Sequence, residues 1–122
     1  MSNKKSKVWL ITGTSTGFGN IWMKYILEKG DRVVATVRKN DILKEEEEKY
    51  PDQLLVLNLD VRNRKACMET AEKAAQHFGR IDVLINNAGY GQFGCIEELS
   101  EDDVKDQMET NVYGSIWMIQ AV

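Results

Sequence analysis

The chain has 122 residues, 43% of them hydrophobic and 29% charged, with a formal net charge of −3. That is one globular domain at most, with apolar material for a modest core. The acidic balance excludes the basic footprint of a nucleic-acid binder, and no apolar run approaches the roughly 18 residues of a membrane helix.

The start, "MSNKKSKVWLITG", is basic and then apolar, but its apolar run is shorter than the roughly 7–15 residues of a signal-peptide core. Lys7–Thr12 predicts the first strand. The run "LITGTSTGFGN" carries Gly13, Gly17 and Gly19 among small hydroxyl residues. Phe18, Ile21, Trp22, Tyr25 and Ile26 recur at three- and four-residue steps and predict an amphipathic first helix. Gly30 stands where that helix should stop. Arg32–Val37 predicts a second strand, followed by Arg38 and Lys39. Ile42 to Tyr50, "ILKEEEEKY", predicts a solvated surface helix ended by Pro51. Leu54–Leu59 predicts a third strand. Asn63 caps a third helix built on Cys67, Ala71, Ala74 and Phe78, which stops at Gly79. His77, the only histidine, lies late in that helix and reads as a solvated or helix-end residue. Ile81–Ile85 predicts a fourth strand. Ser100 with Asp103 reads as a capping box. It opens a last helix with a stripe of Val104, Met108, Val112, Ser115, Ile119 and Val122. Cys67 and Cys95 lack metal-ligand spacing and read as reduced thiols of a cytoplasmic protein.

Short β-rich runs alternate with helical patterns. That order implies an α/β fold, with a parallel sheet and right-handed crossovers. The continuously apolar strands fit a sheet covered on both faces.

The glycine loop follows a strand and opens a helix. In a parallel sheet this places backbone N–H groups and a helix N-terminus where anionic phosphates bind. Gly13 would allow a sharp turn, Gly17 close approach of a pyrophosphate, and Gly19 close packing of helix on strand. Thr14, Ser15 and Thr16 can donate to phosphate or close the loop on itself. An ordinary tight strand-to-helix turn is the alternative. A P-loop is excluded because no G-K-[ST] follows. After the second strand, Val37 stands where an acid would bind the ribose hydroxyls of NAD(H). Arg38 and Lys39 follow, and a guanidinium there suits a 2′-phosphate. This favours NADP(H), with NAD(H) possible; a solvated basic pair is the alternative.

Three further runs, "LDV" (Leu59–Val61), "NNAG" (Asn86–Gly89) and "NVYG" (Asn111–Gly114), join "TGTSTGFG". In order and spacing the chain resembles the short-chain dehydrogenase/reductase family along essentially its whole length. The resemblance implies a Rossmann-type fold with helices on both faces and strand order 3-2-1-4. It implies transfer of hydride between nicotinamide and an alcohol or carbonyl substrate. The cofactor residues it implies are Gly13, Thr14, Ser15, Thr16, Gly17, Phe18, Gly19, Arg38, Lys39, Asp60, Val61, Asn87, Ala88 and Gly89. Asp60 would contact adenine, Val61 pack on its ring, and Asn87–Gly89 run past the adenosine ribose. Asn86 would tie neighbouring strands. Asn111 resembles the asparagine of the catalytic set, which holds a water in a proton relay. Its pattern position puts it on the buried stripe with Met108 and Ser115.

Asn20 and Trp22 depart from the family's usual residues. The loop Gly89–Leu99 would lie beside the substrate cleft. The family's Ser and Tyr-x-x-x-Lys normally follow a fifth strand, beyond Val122. Tyr25 and Lys29 match the spacing but lie at the end of the first helix, away from the cleft. Residues 1–122 are therefore expected to be the NAD(P)-binding portion of a longer single-domain enzyme, inactive alone. The fourth strand would be an open edge, and Trp117 and Met118 would serve a homo-oligomeric interface. A noncatalytic dinucleotide-binding module or inactive fragment is the second reading. A methyltransferase is a third, opposed by NNAG and NVYG.

Overall fold

The computed structural model describes residues 6–38, 43–88 and 100–122. Four parallel strands, β1 (Val8–Ile11), β2 (Arg32–Val37), β3 (Leu54–Asn58) and β4 (Val83–Ile85), form one sheet in the order β3-β2-β1-β4. The register aligns Val8 with Arg32, Trp9 with Val83 and Val33 with Leu54. The connecting helices are α1 (Gly17–Glu28), α2 (Lys44–Lys49) and α3 (Arg64–Phe78). This is the Rossmann-type arrangement the sequence predicts, with β4 pairing only with β1 among the described residues.

Strand alternation divides the core in two. On one face Ile11, Val33, Ala35 and Val37 meet Met23, Ile26 and Leu27 of α1, with Leu43 and Leu54. On the other, Val8, Leu10 and Val34 meet Leu59, Val61, Cys67, Ala74 and Met118. Each fully buried Val, Leu, Ile or Met side chain contributes about 1.5–3 kcal/mol by leaving water. The Cys67 thiol donates to Val61 O at 3.4 Å, and burial pushes its pKa up to about 11.

The expected helix boundaries recur in the caps. Ala66 N donates to Asn63 Oδ1 at 3.0 Å. Ser100 and Asp103 exchange both bonds of the capping box. Gly79 closes α3 in the left-handed conformation, φ 85°, its N–H bonded to Ala75 O at 2.7 Å. The helix over Lys44–Lys49 buries none of its own residues, as its charge implies.

Two apolar stripes are corrected. In α1 the buried residues are Gly19, Met23, Ile26 and Leu27, whereas Phe18 is 69% and Tyr25 60% exposed. The helix is apolar over most of its circumference, so periodicity does not select a face. Gly19 selects it by packing against the glycine loop, and residues four, seven and eight positions later then face the sheet.

The last helical run is not one regular helix. It is α4 (Glu101–Met108), a π-helical turn (Glu109–Tyr113) and α5 (Gly114–Ala121). Thr110, Gly114 and Met118 are buried, while Val104, Met108, Val112, Ile119 and Val122 are exposed. Asn111 is exposed and Ser115 half-buried, so the predicted buried stripe is displaced. Gly114 sets the phase by approaching Val61: a Cβ there would stand 2.6 Å from Val61 Cγ2. Met118 is consequently core, not surface. Trp117 is half-buried, stacked on Tyr113 at 6.2 Å and facing the Arg64 guanidinium at 5.3 Å.

Candidate cofactor site

The loop leaving β1 is sewn to its neighbours at the carboxyl edge of the sheet. Thr12 is fully buried, and its Oγ1 accepts from Asn87 N at 3.0 Å and Ala88 N at 2.9 Å. Asn87 Nδ2 donates to Gly13 O at 2.9 Å. Thr14 N and Thr14 Oγ1 both donate to Thr36 O, at 3.1 and 3.0 Å. Asn20 Nδ2 donates to Thr14 O at 3.0 Å. The turn after β1 is thus held from the β2 side, the β4 side and the first turn of α1.

The glycines answer to that crowding. Gly13 has φ 69°, and a Cβ on it would meet Ala88 Cα at 2.9 Å. A Cβ on Gly19 would meet Asn87 Nδ2 at 2.5 Å and also collide with Gly13 O. Gly17, at φ 67°, has nothing within 4 Å of that position. Its backbone therefore lies bare at the start of α1, where N–H groups lack helical partners.

A cleft of about 420 Å³ opens there. Gly13, Ser15, Thr16, Gly17 and Phe18 line one side, Thr36, Val37 and Arg38 the end of β2, and Leu59, Asp60 and Val61 the turn after β3. Asn87, Ala88 and Thr110 complete it. A backbone cradle, an apolar Val61 wall and a cation at one rim suit a phosphorylated nucleotide. The cradle, whose Gly17 backbone lies open to the cleft while Gly13 and Gly19 pack the loop behind it, therefore fits the phosphates of a dinucleotide.

Charge gathers at the β2–β3 rim. Arg38 Nη2 lies 3.2 Å from Asp60 Oδ2, and Arg62 Nη2 lies 2.7 Å from the same oxygen. Arg62 N and Nε also donate to Asp60 Oδ1 at 3.1 and 3.0 Å. The Arg62 guanidinium holds the Asp60 carboxyl below the usual 3.8, against a desolvation that pushes it up. Arg62 Nη1 reaches Asp106 Oδ1 on α4 at 3.4 Å.

Of the predicted residues, the structure brings Gly13, Ser15, Thr16, Gly17, Phe18, Arg38, Asp60, Val61, Asn87 and Ala88 to one cleft. Lys39 and Gly89, with Cys95 and the Gly89–Leu99 loop, lie outside the described residues. Thr14 is corrected: it is fully buried and its hydroxyl proton is committed to Thr36 O, so it closes the loop instead of facing phosphate. Gly19 acts through packing. Asn86 is corrected too, because its amide donates to Ser115 O on α5 at 3.4 Å and not to a neighbouring strand. Asn87 makes the tie to the β1 turn. Asn111 is exposed on the π-helical turn beside Thr110, its carbonyl accepting from Ser115 Oγ at 3.2 Å.

Tyr25 and Lys29 line a separate apolar groove with Trp9, Trp22 and Ile85, outside the cleft. Trp22 stacks on Phe18 at 5.6 Å and does not line the cleft. Sequence reasoning missed Thr12, Thr110, Arg62 and Asp106. Thr12 ends the first strand in the sequence, but its two acceptor bonds depend on β4 lying alongside. Among the described residues no helix is long and apolar enough to cross a membrane.

The family model for short chain dehydrogenases matches residues 7–122. The chain belongs to that family, whose members are oxidoreductases with a Rossmann fold. It is 36% identical over 118 residues to oxidoreductase BOA17 of Botryotinia fuckeliana, covering 96% of this chain and 43% of that protein. It is 33% identical over 114 residues to the NADP-dependent 3-hydroxy acid dehydrogenase YdfG of Escherichia coli K12, covering 93% of this chain and 46% of YdfG. A short-chain dehydrogenase structure from Streptomyces avermitilis superposes with a TM-score of 0.92 at 36% identity, covering 96% of this chain and 43% of that one. The chain thus spans less than half the length of these relatives.

Proposed function

We propose that this chain forms the cofactor-binding half of an NADP(H)-preferring oxidoreductase acting on a small alcohol or carbonyl substrate. Within that reading the enzyme is cytoplasmic and homo-oligomeric. The observation that carries it is Arg38, which stands at the end of β2 in the same cleft as the glycine loop, beside Val37 instead of an acid. Its present partner is the half-buried Asp60 carboxylate, but Arg38 itself is exposed, and such surface pairs contribute about 0–1 kcal/mol. A charge-assisted bond to a phosphate dianion contributes about 1.5–3 kcal/mol. The guanidinium therefore favours the 2′-phosphate over Asp60.

When bound, the dinucleotide supplies the two-electron redox chemistry. The chain's own residues bind and orient it. The backbone at Gly17 and the hydroxyls of Ser15 and Thr16 receive the pyrophosphate, Val61 packs on adenine, and Asp60 accepts from its amino group. Asn87 and Ala88 shape the ribose wall. Asn111 holds a water in the relay that serves the reacting oxygen. The π-helical turn around it interrupts the regular hydrogen-bond ladder, a feature common at functional positions. The general acid is assigned to chain outside these 122 residues, because Tyr25 and Lys29, the one Tyr-x-x-x-Lys pair in the sequence, lie outside the cleft. YdfG, named as NADP-dependent, supports the cofactor class.

Titration with NADPH and NADH tests the reading. Arg38→Asp is expected to weaken NADPH relative to NADH by roughly 2–3 kcal/mol, the scale of charged hydrogen bonds. An unchanged ratio removes Arg38 from the phosphate site. Tight binding with no turnover of any alcohol or carbonyl by a longer form of the protein favours the noncatalytic module.

A further inference from the structure

Arg62 does not line the cleft, yet it makes the strongest contacts to the Asp60 carboxylate. Its guanidinium reaches Asp60 Oδ2 at 2.7 Å and Oδ1 at 3.0 Å, and its backbone N–H reaches Oδ1 at 3.1 Å. Asp106 holds the far side of the guanidinium from α4 at 3.4 Å. Arg38 touches Asp60 through a single atom pair at 3.2 Å. Two cations therefore converge on one carboxylate, one clamped from two sides and one loosely held.

We propose that Arg62 is a specificity-positioning residue: by clamping and neutralising Asp60, it releases Arg38 for a 2′-phosphate and removes the carboxylate's repulsion of that group. This inference rests on the NADP(H) reading above. Without Arg62, Asp60 is a bare anion at the rim whose remaining guanidinium partner is Arg38. An incoming 2′-phosphate would then have to take Arg38 from Asp60 and sit near its uncompensated charge. A nucleotide lacking that phosphate meets neither obstacle. Adenine is common to both cofactors, so the ratio of their affinities isolates the rim electrostatics.

The test is the ratio of NADPH to NADH dissociation constants, measured by calorimetry on the full chain. The panel is wild type, Arg62→Gln, Arg62→Lys, Asp60→Asn and the Asp60→Asn/Arg62→Gln double variant. Arg62→Gln is expected to lower the NADPH preference about tenfold, the scale of one charge acting on another near a protein surface. Arg62→Lys keeps the charge and should retain most of the preference if the Gln variant folds poorly. The double variant should recover the wild-type ratio, because the carboxylate that Arg62 neutralises is gone. A merely structural Arg62 would weaken both nucleotides together, leaving the ratio unchanged, and that result overturns the inference. Failure of Asp60→Asn to rescue also overturns it, since Arg62 would then be gripping phosphate itself. Wild type that binds neither nucleotide, or shows no NADPH preference, overturns the functional reading and this inference with it.

Discussion

Gly19→Ala separates two arguments that predict opposite signs. Gly19 lies in the first turn of α1, and helix propensity alone makes alanine better there by about 0.8–1.0 kcal/mol. The tertiary structure says otherwise. The new methyl would collide with Gly13 O and stand 2.5 Å from Asn87 Nδ2. Both are held: Asn87 Nδ2 bonds to Gly13 O at 2.9 Å, and Asn87 N bonds to Thr12 Oγ1 at 3.0 Å. Overpacking costs about 1–3 kcal/mol, and losing the Asn87–Gly13 hydrogen bond about 0.5–1.5 kcal/mol. Subtracting the propensity gain leaves a net destabilisation of about 0.5–3.5 kcal/mol when both losses occur together. Urea unfolding followed by tryptophan fluorescence measures it. A midpoint equal to or above wild type would refute the close-approach reasoning and leave propensity as the larger effect. Gly17→Ala is the control. Nothing lies near its methyl, so its cost is the left-handed backbone, about 1–2 kcal/mol, and nucleotide affinity falls because the methyl enters the cleft.

Thr12→Val keeps the shape but leaves the Ala88 N–H without its acceptor, while the Asn87 N–H keeps its bond to Ile85 O at 3.1 Å. The expected loss is about 1–3 kcal/mol, from one unsatisfied donor, read by urea unfolding. Gly114→Ala should destabilise by up to about 2 kcal/mol, overpacking against Val61 less the helix-propensity gain, and adding Val61→Ala should restore part of it; a purely additive double-mutant cycle would contradict the packing argument. Asp60 has its folded-state pKa lowered below 3.8 by Arg62. Its stabilisation is therefore present above that pH and is lost as pH falls through the folded value. Thermal unfolding below about pH 4 should lose stability less steeply in Arg62→Gln than in wild type, since the shift is reduced.

Much of this site is legible in the residues because its chemistry is local. Positive φ at Gly13 and Gly17, the helix caps at Asn63 and Ser100 and the strand ends follow from short runs, and parallel connections place strand ends at one edge. Arg38, Asp60 and Asn87 are brought to that edge by strand topology alone. The partners of those residues were not legible. Arg62 and Asp106 are 44 positions apart, and Thr12 and Ala88 are 76 apart. Nothing in local pattern pairs them.

By itself the sequence determined the element order, the parallel sheet, the glycine cradle and the helix caps. These depend on residue type, on period and on neighbours a few positions away. Tertiary structure decided which face of each helix is core. In α1 the apolar residues cover all but the stripe of Asn20, Lys24 and Glu28, and in α5 they lie nearly all round, so apolarity alone leaves more than one rotation open. A single close approach, Gly19 on the β1 turn and Gly114 on Val61, excludes all but one of them. The same packing turned Thr14 inward, buried Met118 and left Asn111 on a π-helical turn. A steric contact between segments distant in sequence has no signature in either segment alone.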